Sequence, residues 1–236
     1  MKKSIPAVLL YSFISFHLQA QQQQYVQPGA GSVAYSSGDY KVAIQQWQPL
    51  ADQGNSQAAY NMAYMYDHGY GVQKDPAEVS KWLQKSADLG DVRAWHSLGD
   101  LYHEKKDYDT ARQWYKKAAD AGLAAAQFDL GVMYDLGEGV PQNFAEALSW
   151  YQKAAAQGYG PAFCNIAVLY YNGQGVKIDR VVAHRNFLIA SQLGDRRASD
   201  LKKFSEDKLN KKQLEQAQQE ADAWLQEHAN NVRAGA

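Results

Sequence analysis

The chain has 236 residues, 46% hydrophobic and 21% charged, a balance that is globular rather than disordered. A formal charge of −1 supplies no basic surplus to recruit nucleic acid. One cysteine, Cys164, excludes an internal disulfide, so packing alone must hold the fold together.

Residues 1–20 (MKKSIPAVLLYSFISFHLQA) have the layout of a secretory signal peptide. Lys2 and Lys3 form the basic start, Ile5 to Phe16 the apolar stretch, and Leu18-Gln19-Ala20 the cleavage site. The apolar run is shorter than the roughly 20 residues a spanning helix needs. Gln21 follows the expected cut after Ala20, with no cysteine there to take a lipid. The mature chain is therefore expected to be exported, periplasmic or secreted, and not membrane-spanning. Losing the leader removes two lysines and no acid, which moves the formal charge from −1 to −3, 22 basic residues against 25 acidic. Residues 21–27 read as a Gln-rich linker.

From residue 28 to 198 the chain repeats itself. Gly54, Gly90, Gly122, Gly158 and Gly194 stand 36, 32, 36 and 36 residues apart. Four residues after each comes an alanine: Ala58, Ala94, Ala126, Ala162 and Ala198. Twelve after each of the first four comes Tyr66, Tyr102, Tyr134 or Tyr170, and Trp82, Trp114 and Trp150 stand eight before the middle three. Within a unit, Ala126, Leu130, Met133 and Tyr134 fall at helical steps, as do Ala147, Trp150, Tyr151 and Ala154. Two helices of about a dozen residues joined by a short turn fill each unit. Alanine recurs where helices cross because a small side chain lets backbones approach, and aromatics fill the space beside it. About five helix pairs are expected, the first over about residues 28–53. There Gly38-Asp39-Tyr40-x2-Ala43 echoes Lys106-Asp107-Tyr108-x2-Ala111.

Three units carry a Gly-x-Gly pair: Gly69/Gly71, Gly137/Gly139 and Gly173/Gly175. A phosphate-binding loop would follow a strand and open a helix. Here a helix precedes the pair each time, so it is expected to be a turn in which a left-handed residue ends the first helix. The third unit is four residues shorter, lacks the pair and reads HEKKDYDTA through the joint.

The pattern Ala-x3-Leu-Gly-x2-Tyr-x2-Gly-x-Gly-Val, then Ala-x2-Trp-Tyr-x-Lys-Ala-Ala, resembles the Sel1-like repeat, a relative of the tetratricopeptide repeat. Its best copy runs from Ala126 through Leu130-Gly131, Tyr134, Gly137, Gly139-Val140, Ala147 and Trp150-Tyr151 to Ala154-Ala155. The short third unit, with Trp95-x2-Leu98-Gly99-x2-Tyr102 and Ala111-x3-Tyr115-x2-Ala118, resembles a tetratricopeptide repeat. Met62-Ala63, Ile166-Ala167 and Asn186-Phe187 depart from the pattern, as units near the ends of an array do. The resemblance implies an all-α fold, a right-handed α-solenoid of stacked helix-turn-helix repeats with a C-terminal capping helix. Residues 199–230 supply that cap. Asn210 and Gln213 are placed for a capping box, and Leu214, Ala217, Ala221, Trp224 and Leu225 form one apolar stripe. Residues 231–236 remain as a tail. Lys202, Lys203, Lys208, Lys211 and Lys212 are interrupted by Glu206 and Asp207 and read as a solvated face.

By the same resemblance, the first helix of each pair lines a concave groove where such arrays bind partners. The face opposite the packing stripe offers Gln57, Tyr60, Tyr64, Asp67 and His68, then Arg93, His96, Asp100, His103 and Glu104. The next two units add Phe128, Val132, Asp135 and Leu136, then Cys164, Val168, Tyr171 and Asn172. The partner-binding candidates are Tyr60, Tyr64, Asp67, His96, Asp100, His103, Phe128, Val132, Asp135, Val168 and Tyr171. Their polar, aromatic and apolar mixture suits a protein or peptide partner, presented as an extended segment or as a helix of alternating character, in keeping with the adaptor role typical of related repeats. Two other readings stay open. Tyr60, Tyr64 and Tyr171 can stack on the sugars of a cell-wall glycan or muropeptide. His96, Asp100 and His103, at i, i+4 and i+7, form a workable zinc shell for a metal-dependent enzyme, although no HExxH glutamate accompanies them. Cys164 reads as a buried small residue or as a free thiol. With no Gly-x-Ser-x-Gly turn and no distinctive carboxylate pair, no catalytic residue, resident metal or cofactor is expected.

Overall fold

The computed structural model describes residues 29–228. The expected signal peptide, the Gln-rich linker and the tail lie outside the described residues. Twelve α-helices and no strand occupy the described part of the chain, which divides into two compact units at Ala121/Gly122. The N-terminal unit holds α1 (Ala30–Ser36), α2 (Tyr40–Asp52), α3 (Ser56–His68), α4 (Pro76–Asp88), α5 (Val92–Glu104) and α6 (Tyr108–Asp120). The C-terminal unit holds α7 (Ala124–Leu136), α8 (Phe144–Ala155), α9 (Gly160–Asn172), α10 (Arg180–Gln192), α11 (Arg196–Glu206) and α12 (Lys211–Glu227). Within each unit consecutive helices pack as hairpins, first helix on second.

Local sequence fixes where the helices start. Nine of the twelve follow an Asp or Asn whose side chain accepts a first-turn N–H: Asp39, Asn55, Asp75, Asp91, Asp107, Asn143, Asp179, Asp195 and Asn210. Each such cap is worth about 1 kcal/mol. Asn210 and Gln213 form the reciprocal capping box.

Helix ends are fixed by the glycine pair. Gly69 caps α3 in the left-handed region, φ +71°, and its N–H bonds the Met65 carbonyl. Gly71 serves a different purpose. A Cβ there would lie 2.9 Å from the Tyr40 carbonyl carbon, so the turn presses on the start of the preceding hairpin's second helix. Gly173 and Gly175 repeat both roles on α9, the second against Phe144. One glycine ends the helix and the other seats the turn.

The short third hairpin manages without a pair. Lys106 takes φ +60° at the place where the first hairpin has Gly38 at φ +81°. A left-handed non-glycine residue costs roughly 1–2 kcal/mol, partly offset by the larger unfolded-state entropy of glycine. Lys106→Gly is therefore expected to raise stability by up to about 1 kcal/mol, seen as a higher urea midpoint at unchanged slope.

The repeated alanines are the hinges of the core. Ala94, Ala126, Ala162 and Ala198 are fully buried and Ala58 nearly so. Trp82, Tyr115, Trp150, Tyr151 and Phe187 fill the space beside them. Lysines three residues on lie over the tryptophans, Lys85 at 5.0 Å from Trp82, Lys117 at 5.4 Å from Trp114 and Lys153 at 3.5 Å from Trp150. After α11 the pattern changes, because α12 lies along α10. Its Ala217 and Ala221 are buried and Trp224 meets Phe163. Buried His184 of α10 bonds Ser205 Oγ of α11 at 2.7 Å, and burial lowers its pKa.

Candidate functional site

In the N-terminal unit, α3 and α5 place six candidates on one face. Arg93 organises the junction. It grips the Asp91 carboxylate through Nε and Nη2, donates to Gln57 Oε1 at 2.8 Å, and lies 4.5 Å over the Tyr60 ring. Asp91 is at once the cap of α5 and the anchor of this guanidinium. Tyr60 Oη meets Ser97 Oγ at 3.3 Å, so polar side chains bridge the two helices. Burial raises the Tyr60 pKa, so its phenol stays protonated.

Tyr64 belongs to a larger aromatic group. It stacks on His68 at 4.0 Å and meets Tyr35 and Tyr70 at 6.0 Å, and Tyr40 and Tyr70 stack at 4.6 Å. Burial, then the bond to Tyr35, raises the Tyr64 pKa. Sequence register missed Tyr35, Tyr40 and Tyr70, which come from α1, α2 and the turn after α3. Tyr70 carried a signal. It is the middle residue of the Gly-x-Gly turn, where the other copies have Glu138 and Gln174, so the turn itself does not require an aromatic. Asp67 is exposed, 3.2 Å from His68.

Asp100 accepts the Tyr115 hydroxyl at 2.8 Å and lies 3.6 Å from His96. His103 instead meets the Tyr108 ring edge-on at 5.2 Å. Among the described residues His103 does not join His96 and Asp100 in any cluster of close ligand atoms, which corrects the expected convergence of the three. Positions i and i+7 are about 10.5 Å apart along a helix axis, and Tyr108 draws the second imidazole toward α6.

The C-terminal unit places its candidates inside. Phe128, Val132, Asp135, Val168 and Tyr171 are all buried. Phe128 lies between Tyr151 and Tyr159, Asp135 accepts the Tyr151 hydroxyl at 3.0 Å, and Tyr171 packs on Phe204 of α11. The groove residues expected here are therefore core in this structure, since α11 and the loop before α9 supply partners that repeat spacing does not foresee. Cys164 is fully buried and burial pushes its thiol up to about 12, which makes it a packing residue. Asp195 and Arg197 repeat the Asp91–Arg93 grip, with Nη2 to Oδ2 at 2.6 Å and Arg197 Nη1 reaching Asn165 at 3.5 Å.

Helical hairpins stacked through small residues, with polar first helices clamped repeat to repeat, define an all-α solenoid. The family model of the Sel1 repeat matches residues 56–91, 124–159 and 162–195, and that of the tetratricopeptide repeat matches 92–121. The chain is 32% identical to the Sel1 repeat protein from Oxalobacter formigenes over 74% of each chain, with a TM-score of 0.67. It belongs to the Sel1 repeat family. It is also 34% identical to c5321, a protective antigen of uropathogenic Escherichia coli strains displaying an SLR fold, over 81% of this chain, with a TM-score of 0.76. The chain spans only 42% of that antigen's length. Immunity protein PA5088 from Pseudomonas aeruginosa shares the fold at 19% identity, covering 84% of this chain and 83% of its own, TM-score 0.52. No curated protein matches the sequence. The Sel1 repeat fold is typically a protein-interaction scaffold. Among the described residues no helix is long and apolar enough to cross a membrane.

Proposed function

We propose that the chain is a non-enzymatic, exported scaffold that binds a protein or peptide segment across the face of α3 and α5. One observation carries this reading. Tyr60, Tyr64, His96, Asp100 and His103 are held by contacts to other helices yet stay partly open to solvent, beside exposed Asp67. Side chains fixed before binding lose little entropy on binding, which favours recognition over chemistry. The polar and aromatic composition suits an extended peptide with alternating side chains. Export rests on the layout of residues 1–20.

Asp67→Ala/His103→Ala tests the face without emptying the core. Crosslinking in envelope extracts is expected to capture a defined protein with the wild-type chain, and at least about tenfold less of it with the variant at an unchanged circular dichroism spectrum. Equal capture by both discards this face. Purified muropeptide serves as the competing probe, because the aromatic group around Tyr64 offers ring faces to a sugar. Displacement of the captured protein by muropeptide would favour the glycan reading.

A further inference from the structure

Helices α8, α9, α10 and α12 line an open cleft of about 530 Å³ in the C-terminal unit. That lies within the roughly 300–1,000 Å³ of small-ligand sites. It involves neither α3 nor α5, so it stands apart from the face proposed above. The floor is apolar: Phe163 and Ile166 of α9, Ile189 of α10 and Trp224 of α12. The indole is fixed from two sides, edge-on to Phe163 at 4.7 Å and stacked on His228 at 4.2 Å.

The rim is charged. Arg185 Nη1 reaches Glu220 Oε2 at 3.4 Å, a long contact. The Arg185 side chain is 33% exposed and lines the cleft, so the accessible part of its guanidinium faces any anionic group that enters. Glu227 also lines the cleft, two turns beyond Glu220 on α12. Two carboxylates to one guanidinium leave an anionic excess that suits a cation at the end away from Arg185. The stretch from Glu220 to Glu227 spans about 10.5 Å. That is room for about three residues of extended peptide at roughly 3.3 Å each.

We infer that this cleft binds a short zwitterionic peptide with an apolar residue. Its carboxylate pairs with the accessible part of the Arg185 guanidinium, its ammonium faces Glu227, and its aliphatic side chain covers Trp224 and Ile189. Charge pattern, floor and length agree on this occupant. A purely apolar ligand would cover the exposed Arg185 guanidinium without offering it an acceptor, and an anion without an ammonium group would meet the Glu227 carboxylate uncompensated.

The test uses the tripeptide Ala-Leu-Ala with free ends, its C-terminal amide and its N-acetyl form, titrated into the full chain labelled with nitrogen-15. The Trp224 indole N–H resonance is assigned with Trp224→Phe. The free peptide is expected to shift that resonance saturably, with Kd on the order of 0.1–1 mM. Amidation, Arg185→Gln and Arg185→Lys should each weaken binding by about fivefold or more, since lysine keeps the charge but not the planar guanidinium fork. Glu227→Gln, at an exposed position, should weaken the free-amine peptide and leave the N-acetyl form unchanged. This variant carries the test if Arg185 substitution lowers stability. No saturable shift up to about 10 mM, an amide that binds as well as the acid, or a Glu227→Gln variant indifferent to the ammonium overturns the assignment. None of these results bears on the α3–α5 face.

Discussion

Replacing Tyr151 by alanine is expected to destabilise the chain by about 3–5 kcal/mol, read as a lower urea midpoint. The side chain is fully buried, its ring lies on the backbone of α7 at Gly131, and its hydroxyl donates to buried Asp135. Three substitutions separate these contributions. Tyr151→Phe keeps the ring but withdraws one donor from a buried carboxylate, which costs about 1–3 kcal/mol. Gly131→Ala sets two effects against each other. Alanine is favoured over glycine in a helix by about 1 kcal/mol, but its Cβ would stand 2.5 Å from two Tyr151 ring carbons. Overpacking of about 1–3 kcal/mol wins against a ring with no free space. With Tyr151 already removed, Gly131→Ala should instead be neutral or stabilising, and that change of sign is the signature of direct coupling. The N-terminal unit likewise sets Tyr115 against Gly99, but there the hydroxyl donates to Asp100, one residue after the glycine rather than four. Where the second helix offers no hydroxyl, at Leu83 and Phe187, the first helix carries Ala63 and Ala167. Reaching a carboxylate draws the ring onto the backbone, and only then is glycine needed.

The fold was legible because each constraint is written several times. An alanine four residues after a glycine is weak evidence once and decisive five times over, and helix period, turn glycines and crossing residues all agree. The aspartate and asparagine caps were legible too, since they stand immediately before their helices. The candidate site was legible only where the repeat continues to govern the neighbours. On α3 and α5 the register placed Tyr60, Tyr64, His96 and Asp100 on one face, and Arg93 and Ser97 bridge them. On α7 and α9 the same register pointed to Phe128, Val132, Asp135, Val168 and Tyr171, which lie buried. Their partners include Tyr159 from a loop and Phe204 from α11, whose identities no repeat position dictates. The aromatic group around Tyr64 likewise recruits Tyr35, Tyr40 and Tyr70 from segments specific to one end. The cleft against α12 depends on a helix that copies nothing else in the chain. Periodicity predicts what repeats, whereas sites are built where repetition stops.

Asp195→Ala is expected to cost a further large amount, about 3–5 kcal/mol, and to act locally before it acts globally. Asp195 Oδ1 accepts the backbone N–H of Arg197 at 2.9 Å and of Ala198 at 3.3 Å, which caps α11, while Oδ2 holds Arg197 Nη2 at 2.6 Å. The two side chains are only 3% and 17% exposed, so removing the acid strands a largely buried guanidinium. Breaking such a pair costs far more than replacing it whole. A double variant that keeps the cap and deletes both charges, Asp195→Ser/Arg197→Met, should therefore recover most of the loss. Cys164 reports where the damage falls. It is fully buried, its thiol is pushed up to about 12, and Asp195 and Arg197 both act on it. In the wild-type chain iodoacetamide at neutral pH should leave it untouched, because neither thiolate nor access is present. If α11 is the cover, Asp195→Ala lets the thiol react through local opening at least about tenfold faster, and the Ser/Met pair slows it again. A lowered urea midpoint with no change in alkylation rate would mean that α11 does not cover Cys164 and that the Asp195–Arg197 grip stabilises the unit as a whole.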